Sequence, residues 1–371
     1  MATRTRKPVV GGTRTPARPA RFPEFEVSGS PRELGRQFGE ACREQVNTFV
    51  GMVVDRFNKG RAKALDLDTA LGVARGCVPY VERYAPDLAE EVRGIGEGAR
   101  VAAEQVMLLN VRNQLSAASE GCTSVIVEGR STASGNGLAG QNWDNDPATD
   151  PFSVVVKRRP TGKPSLLSFT RPGEIGYMGL NSTGIGILMN AMPGRSRRLG
   201  VPWYFIVRKI YEQDSLAGAT AAAESAERAI PANAAMITPQ GAADLEVMTQ
   251  AVRVLRGDKR GRLVHTNHCV HPDLLGVNDE YRGGIYGQSF ERRDRATALL
   301  DEAPGAVTVE TIGGILSDHD GYPTSICRHP NPDPSTGWQR SVVSMIVEPA
   351  QGRMYLSRGN PCESPYETYE L

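Results

Sequence analysis

Apolar residues in the first third of the chain recur at steps of three and four, which is the spacing of one helical face. Ser30, Pro31 and Glu33 form a capping box with proline at the first helical position, so a helix is predicted to begin there. The pattern predicts a single long amphipathic helix whose apolar face packs against a core. Its apolar stripe comprises Leu34, Phe38, Cys42, Val46, Val50, Val53 and Phe57. Further helices are predicted over residues 68–84, from 86 onward, and over 102–116.

The pattern changes at residue 122, where short runs rich in β-branched residues begin to alternate with turn signals. Short connections between strands favour antiparallel sheets, with helices covering them. No repeat of fixed period and no linker interrupts the chain after residue 25, which indicates one α+β domain over residues 25–371. Strands are predicted over residues 122–127, 138–143, 152–157, 165–170, 177–180, 184–189, 234–238, 245–249, 263–270, 341–347 and 353–357, and helices over 203–229, 290–302 and 309–316.

The first 24 residues differ from the rest in composition. Six of the 43 basic residues lie within residues 1–21, which contain no acidic residue. This proline-containing basic segment predicts a disordered tail over residues 1–24. A basic tail can bind polyanions, but a solvated extension is the simpler interpretation. The net charge of the whole chain is only +1, so no nucleic-acid partner is expected.

The distribution of apolar residues and cysteines narrows the class of protein further. No apolar run resembles a transmembrane helix, and none follows the early arginines as a secretory signal would. We therefore expect a cytoplasmic protein without a membrane partner. The six cysteines form no Cys-x-x-Cys pair, and a chain of 371 residues does not need disulfides, so reduced thiols are expected.

A candidate reaction centre lies where the helical third gives way to the strands. Gly121-Cys122-Thr123-Ser124 follows the last predicted helix, and Gly140-Gln141-Asn142-Trp143-Asp144 lies on the next predicted strand. Together these motifs resemble those of the acyl-CoA:6-aminopenicillanic acid acyltransferase family, whose members are N-terminal-nucleophile hydrolases. Residues 29–35, 265–268 and 325–328 resemble further stretches of that family. The resemblance covers roughly residues 25–360.

This resemblance implies a fold and a maturation step. The fold is the four-layer αββα sandwich of the N-terminal-nucleophile hydrolases, within the α+β class. Maturation is a self-cleavage before a cysteine, which here would fall between Gly121 and Cys122. The products would be a mostly helical chain, 1–121, and a catalytic chain, 122–371, which stay together as a heterodimer.

The chemistry of an N-terminal cysteine supports such a reaction independently of the resemblance. A thiol with a reference pKa of about 8.5 is only a few per cent thiolate at neutral pH. A free α-amine has a reference pKa of about 7.7–8.0, so it can accept the proton of the thiol. Cys122 with a free amine would therefore carry nucleophile and base in one residue. For the cut itself, the Cys122 sulfur would attack the carbonyl of Gly121, where glycine permits a close approach of the backbone.

Four further residues are candidates for the site, the first three of them by resemblance. Asp144 would orient or activate the Cys122 amine, and the alternative is a turn aspartate. Asn267 would donate its amide to the oxyanion of the tetrahedral intermediate, and the alternative is an asparagine bonded to neighbouring backbone. Arg328 would bind a substrate carboxylate in a bidentate manner, with a surface arginine as the alternative. Ser124 would hydrogen-bond near the nucleophile.

A His-x-x-His-x-x-His motif over residues 265–271 invites a metal interpretation. On the strand predicted over 263–270, a spacing of three places successive histidines on opposite faces, so we expect no metal there. His319 is interpreted as part of a loop, and Cys269 and Cys327 as core thiols. No cofactor is expected.

The sequence therefore predicts a self-cleaving cysteine amidohydrolase or acyltransferase that acts on linear amides through a thioester on Cys122. Its partner would be a small-molecule acyl amide. Hydrolysis is favoured over dedicated acyl transfer, because water is always present and no amine site is identified. Two alternatives stay open. One is a hydrolase of aminoacyl, β-alanyl-type amides, and the other is an uncleaved, non-catalytic scaffold with the same fold.

Overall fold

The computed structural model describes residues 21–371, except residues 60, 117–119, 282–283, 304 and 335. The helices are α1 (Pro31–Ala41), α2 (Arg43–Asn58), α3 (Leu67–Tyr84), α4 (Pro86–Ala99), α5 (Ala103–Asn110), α6 (Arg112–Leu115), α7 (Trp203–Tyr211), α8 (Leu216–Glu224), α9 (Gly284–Gly287), α10 (Ser289–Glu302) and α11 (Val309–Leu316). The strands are β1 (Glu24–Gly29), β2 (Gly121–Val127), β3 (Leu138–Asn145), β4 (Val154–Pro160), β5 (Leu166–Thr170), β6 (Met178–Asn181), β7 (Gly186–Leu188), β8 (Ala232–Thr238), β9 (Gly241–Val247), β10 (Val252–Arg256), β11 (Arg262–His265), β12 (Arg340–Glu348), β13 (Arg353–Arg358) and β14 (Tyr366–Glu370). None of the helices in these ranges is long and apolar enough to cross a membrane.

The strands form two sheets that pack face to face. The larger sheet has the order β1-β4-β5-β6-β7-β8-β9-β10, and the smaller has the order β11-β2-β3-β12-β13-β14. Strands β2 and β3 of the smaller sheet contact β7, β8 and β9 of the larger one. Helices α1 and α8 lie against the larger sheet, and α10 and α11 lie against β2, β3, β11 and β12 of the smaller sheet. The predicted four-layer αββα sandwich is confirmed.

The N-terminal edge of the fold lies close to the predicted boundary at residue 25. The basic tail predicted over residues 1–24 falls outside the described residues as far as residue 20. The last residues of that range are part of the fold, because Phe22 is buried and its ring lies 5.2 Å from that of Phe169. Strand β1 then pairs with β4 in parallel register, Glu24 opposite Val155.

The apolar stripe of the first third is divided between two helices. Helix α1 begins with the predicted capping box and ends at Ala41, and α2 begins at Arg43. Between them Cys42 has φ −111° and ψ 23°, so the prediction of one unbroken helix was wrong at this residue. The stripe itself is buried along both helices. Periodicity shows which face is buried, but a one-residue break that preserves the face leaves the pattern unchanged.

Helices α1 and α4 approach each other closely through glycines. A Cβ atom on Gly35 would lie 2.0 Å from the carbonyl oxygen of Glu91, and one on Gly94 would lie 2.1 Å from that of Arg32. Gly39 and Gly98 have the same relation to the opposite helix, at 2.2 and 2.1 Å. The backbones touch because these four side chains are absent.

The polar interior joins the helical third to the strands. Glu91 of α4 is 1% exposed and accepts hydrogen bonds from Arg158 of β4 at 3.1 Å and from Arg208 of α7 at 2.8 Å. Arg112 of α6 binds Glu174 at 2.9 Å, and both side chains are buried. These ion pairs connect residues before Gly121 with residues after it.

Candidate active site

The predicted nucleophile lies at the start of β2, an inner strand of the smaller sheet. Cys122 is the second residue of β2, is 1% exposed, and pairs with Trp143 of β3. The preceding residue, Gly121, pairs with Asp144. Side chains alternate along a strand, so Cys122 and Trp143 share the face toward the larger sheet, whereas Asp144 lies on the opposite face.

Asn267 binds the backbone on both sides of Gly121. Its Oδ1 accepts a hydrogen bond from the Cys122 backbone nitrogen at 2.9 Å. Its Nδ2 donates to the carbonyl oxygen of Glu120 at 3.2 Å and to that of Ala191 at 3.0 Å. Pairing between β11 and β2 ends at His265 opposite Ser124. The Asn267 amide therefore continues the hydrogen bonding of β2 where the neighbouring strand has stopped.

The position of Asn267 corrects the predicted strand over residues 263–270. Strand β11 ends at His265, and Asn267 lies in the loop that follows. Ser289, the first residue of α10, holds this loop: its Oγ accepts from the Asn267 backbone nitrogen at 2.6 Å. Glu246 of β9 binds His265 Nε2 at 2.9 Å and accepts from the backbone nitrogen of Val270 at 2.5 Å. The loop replaces the strand because these buried side chains satisfy its backbone groups.

Arg292 is a buried cation beside the candidate nucleophile, and sequence analysis did not identify it. Its Nη1 donates to the Cys122 carbonyl oxygen at 2.5 Å and to Thr123 Oγ1 at 2.8 Å. Its Nη2 donates to Asn267 Oδ1 at 2.8 Å. Burial and the nearby Arg328 lower the pKa of Arg292 to about 10, so it remains charged at neutral pH.

Asp144 is buried at the end of β3, on the outer face of the smaller sheet. Its Oδ1 accepts from Ser341 Oγ at 2.7 Å, and its Oδ2 accepts from Arg328 Nε at 3.3 Å. Burial raises the pKa of the Asp144 carboxyl, and Arg328 and Arg292 partly offset that rise. Asp144 is paired with Gly121 across the two strands, so its backbone lies beside the residue that precedes the candidate cleavage site.

Arg328 does not have the position expected of a substrate-binding residue. It is 0% exposed, which excludes the alternative of a surface arginine, and its Nη2 donates to Gln288 Oε1 at 2.7 Å. Its guanidinium binds the protein's own Asp144. Arg328 therefore holds the carboxylate of Asp144. This contact conflicts with the expectation that Arg328 binds a substrate carboxylate.

Ser124 lies on the same face of β2 as Cys122, one side chain further along. Its hydroxyl lies 2.8 Å from Asn190 Oδ1 and 3.1 Å from Gln141 Oε1. Gln141 in turn binds the backbone of Met189 through both amide atoms, at 2.7 and 2.8 Å. Ser124 is therefore part of a polar connection between the two sheets, next to the nucleophile.

The carboxylate of Glu120, the residue before Gly121, is held by three side-chain hydrogen-bond donors. It accepts from Arg112 Nη1 at 2.8 Å, from Trp143 Nε1 at 2.9 Å and from Asn145 Nδ2 at 3.0 Å. Burial opposes ionisation of Glu120, but Arg112 and Arg171 outweigh it and hold the pKa of this carboxyl below its usual range. The chain is thus anchored immediately before the candidate cleavage site.

A cavity of about 240 Å³ lies beside Glu120 and Ala191. Its wall combines aromatic and aliphatic side chains with a few polar groups, as ligand cavities commonly do. One of these polar groups, Asn190 Nδ2, is buried and has no hydrogen-bond partner among the residues that the structure describes. Both predicted fragments contribute to the lining, which comprises Asn113, Ser116, Glu120, Tyr177, Met189, Asn190, Ala191, Met192, Gly194, Ser196, Trp203, Ile230, Pro231, Ala232, Tyr281 and Tyr286.

The environment of Cys122 controls the reactivity of its thiol. Burial raises the pKa of the Cys122 thiol well above its ordinary value, and the carboxylates of Glu120 and Asp144 raise it further. Arg292 and the backbone of Ala191 act in the opposite direction. In the uncut chain the thiol is therefore protonated at neutral pH and needs a base before it can attack.

Comparison with known proteins gives the family of this chain. Residues 131–363 match the model of the family described as acyl-coenzyme A:6-aminopenicillanic acid acyl-transferase. The chain belongs to this family. The matched range includes Asp144, Asn267, Arg292 and Arg328, and it begins after Cys122. The predictions of the family and of an enzyme are confirmed.

Individual relatives of the family extend the comparison. The chain is 28% identical over 362 residues to the acyl-coenzyme A:6-aminopenicillanic-acid-acyltransferase 40 kDa form of Emericella nidulans, an alignment that covers 92% of this chain and 94% of that protein. Among solved structures, penicillin V acylase from Agrobacterium tumefaciens is similar with a TM-score of 0.46 and 12% identity, over 67% of this chain and 86% of that one. A mutant of the conjugated bile acid hydrolase from Clostridium perfringens has a TM-score of 0.43 and 12% identity, over 67% and 97%.

Proposed function

We propose that the chain cuts itself between Gly121 and Cys122 and that the new N-terminal Cys122 is the nucleophile of an amide hydrolase with acyl-transfer capability. The observation that carries the proposal is the contact of Asn267 with both sides of Gly121, next to a cavity. Such a contact holds one peptide bond in a fixed position within reach of a thiol. An uncleaved scaffold would have no need of it.

The cleavage step begins with attack of the Cys122 sulfur on the Gly121 carbonyl carbon. The bond from that carbon to the Cys122 nitrogen breaks, the thiol proton moves to the departing amine, and a thioester forms. Water then hydrolyses the thioester, which releases the Gly121 carboxylate and restores the thiol. Glu120 and Asn267 hold the peptide on either side, so the reacting atoms need little further ordering.

In the mature enzyme, the Cys122 amine takes the proton of its own thiol. The thiolate attacks the acyl carbonyl of the substrate, the amine product leaves with that proton, and an acyl thioester remains. Water or a second amine then accepts the acyl group. Asp144 orients the amine, and the charge of Arg292 stabilises the thiolate.

Asn267 supplies the hydrogen bond to the developing oxyanion in this scheme. In the uncut chain its Nδ2 is bonded to the Glu120 carbonyl oxygen. Movement of the cut end away from this contact leaves the donor available to a substrate carbonyl. A donor fixed in advance at such a position is worth about 10²–10³ in rate.

The cavity beside Ala191 suits the acyl part of a small amide. Tyr177, Trp203 and Met192 offer it apolar surface, and Asn190 offers its Nδ2, which donates to none of the described residues. This lining supports an aliphatic or aromatic acyl group. An aminoacyl, β-alanyl-type substrate remains the alternative, and it would place an ammonium near Glu120.

The test compares the intact masses of wild type, Cys122→Ala and Cys269→Ala. We expect wild type and Cys269→Ala, which loses a buried thiol elsewhere, to give two chains split before Cys122. Cys122→Ala should remain whole. A wild-type protein that stays at full length, with a Cys122 thiol that does not react with an electrophilic acyl probe, would contradict the proposal and favour the scaffold. A panel of N-acyl amides and β-alanyl amides then separates the two enzyme hypotheses.

A further inference from the structure

Two histidines and two cysteines converge on one point at the outer edge of the smaller sheet. His319 follows α11, Cys327 and His329 lie in the segment that leads to β12, and Cys362 lies in the turn between β13 and β14. One ligand atom from each residue can be chosen so that all four lie within 4.8 Å of one another. The active-site mechanism uses none of these residues.

The distances within this cluster resemble those of a four-coordinate metal site. A tetrahedral Zn²⁺ with ordinary bond lengths places two sulfurs about 3.8 Å apart, a sulfur and a nitrogen about 3.5 Å apart, and two nitrogens about 3.3 Å apart. The sulfurs of Cys327 and Cys362 are 3.6 Å apart. His329 Nε2 lies 3.7 Å from Cys327 Sγ and 3.4 Å from Cys362 Sγ, and His319 Nε2 lies 3.0 Å from His329 Nε2.

The groups around the cluster are those that support metal ligands. Asn360 Nδ2 donates to Cys327 Sγ at 3.3 Å, as amides do toward a thiolate. The carboxylate of Glu363 lies 3.7 Å from His329 Nδ1, the ring nitrogen that faces away from the cluster. A carboxylate on the second nitrogen of a histidine fixes the tautomer in which the first nitrogen can bind a metal.

We propose that His319, Cys327, His329 and Cys362 bind one zinc ion as a closed, structural site. Two imidazoles and two thiolates are a ligand set that favours zinc, and four protein ligands leave no position for a substrate. Binding releases the two thiol protons, and the thiolates neutralise the charge of the ion. A disulfide between Cys327 and Cys362 would not explain why two imidazoles also lie close to the two sulfurs.

The site would act on the catalytic centre through Arg328, which lies between two of the ligands in sequence. The Arg328 carbonyl oxygen accepts from Asn360 Nδ2 at 2.7 Å, and its side chain holds Asp144. Zinc would join the turn at residue 362 and the loop at residue 319 to this segment. Arg328 would then be a positioning residue whose backbone is fixed by the metal.

The test measures metal by elemental mass spectrometry in protein expressed from residue 1 to residue 371 without a histidine tag, cut or uncut, with zinc counted per expressed chain. We expect about one zinc per chain in wild type and at least a fivefold loss in Cys362→Ser and His329→Gln. Cys269→Ser and His271→Gln, which alter a thiol and an imidazole outside the cluster, should retain the zinc. Cobalt taken up by zinc-depleted wild type should give the visible absorption of a tetrahedral ion and a thiolate-to-cobalt charge-transfer band, reduced in Cys362→Ser.

Three outcomes would overturn the proposal. The first is wild-type protein that contains no zinc and takes up no stoichiometric cobalt. The second is recovery of Cys327 and Cys362 as a disulfide from protein alkylated without reduction. The third is equal metal content in Cys362→Ser and wild type. None of these readouts depends on self-cleavage or amidase activity, so the zinc proposal stands or fails independently of the proposed function.

Discussion

Single atoms of Asn267 have separate tasks, because its Oδ1 accepts from Cys122 while its Nδ2 donates to Glu120 and Ala191. A change that keeps the shape but removes the donors should therefore be as damaging as removal of the side chain. The same residue would serve both the cut and the later reaction, so its loss should impair both.

For Asn267→Asp and Asn267→Ala we expect self-cleavage slowed by about 10²-fold, because the contacts that hold the backbone on either side of Gly121 in position are lost. A time course of chain splitting after pulsed cell-free synthesis measures the rate. Asn47→Ala is the matched control, since Asn47 also donates to two backbone carbonyls but lies on α2. Cleavage of Asn267→Asp at the wild-type rate would show that the two amide hydrogen bonds are not needed.

The charge of Arg292 gives a prediction about pH. The Cys122 thiol has a raised pKa in the uncut chain, so its reactive thiolate becomes more abundant as pH rises. Arg292 lowers that pKa, and Arg292→Gln should therefore move the pH dependence of cleavage to higher pH, with Arg292→Lys in between. Arg293→Gln, the neighbouring residue on α10, is the control. Slower cleavage with an unmoved pH profile would indicate a purely structural role.

Sequence motifs predicted Cys122, Ser124, Asp144 and Asn267 as site residues. In the fold Asn267 bonds to the Cys122 backbone, Asp144 pairs with Gly121, and Ser124 shares a strand face with Cys122. The motifs did not predict Arg292 or Glu120. Arg292 lies in the charged run of residues 291–295, which has the composition of a solvated helix face. Only the packing of α10 against β2 turns one of those charges inward. The burial of Arg328 depends on contacts with Asp144 and Gln288, which are distant in sequence, so it could not be predicted either.

At the scale of elements, the contact between α1 and α4 reverses the usual effect of glycine in a helix. Replacing glycine by alanine inside a helix ordinarily stabilises it by roughly 0.5–1 kcal/mol. Here the added methyl group would enter the backbone of the facing helix, so the two helices would have to separate.

We expect Gly35→Ala to lower the free energy of unfolding by about 1–3 kcal/mol, the usual range for overpacking. Gly51→Ala on α2 is the control, because a Cβ there meets nothing within 4 Å, and it should be neutral or slightly stabilising. Urea unfolding in the Cys122→Ala background, if that chain stays whole, gives both values. Equal stability of the two variants would show that the helices can move apart freely.

Three strands that the sequence patterns did not predict lie at the edges of the sheets. Strands β1 and β10 are the two edges of the larger sheet, and β14 is an edge of the smaller one. Apolar and polar residues alternate in β1 and β10, but over only six and five residues, so the pattern that marks a half-buried strand is short there. Longer strands and helices, such as β12 and α11, agree with the pattern because both depend on a well-buried face.

At the scale of the whole molecule, the two predicted fragments share one core. Glu91 belongs to the fragment before the cut, and its partners Arg158 and Arg208 belong to the fragment after it. All three side chains are almost completely buried. Removing the carboxylate would leave two guanidinium groups without their counterion in the interior.

We therefore expect Glu91→Gln to destabilise the chain by about 3–5 kcal/mol, the usual result of breaking a buried ion pair on one side. Glu104→Gln removes the partner of Arg75 at the surface and should change stability by less than about 1 kcal/mol. Chemical unfolding in the uncut Cys122→Ala background measures both. A small effect of Glu91→Gln would mean that water reaches the two arginines.

Strand β1 and helices α1 to α6 all precede Gly121, yet they are built into the sheet and helical layers formed by later residues. Before the cut, these parts find each other as segments of one tethered chain. After the proposed cut, reassembly from the unfolded state would become a collision between two molecules, and its rate would depend on their concentration. The mature enzyme would thus remain folded because it unfolds slowly. Once unfolded, its two fragments would refold poorly at low concentration.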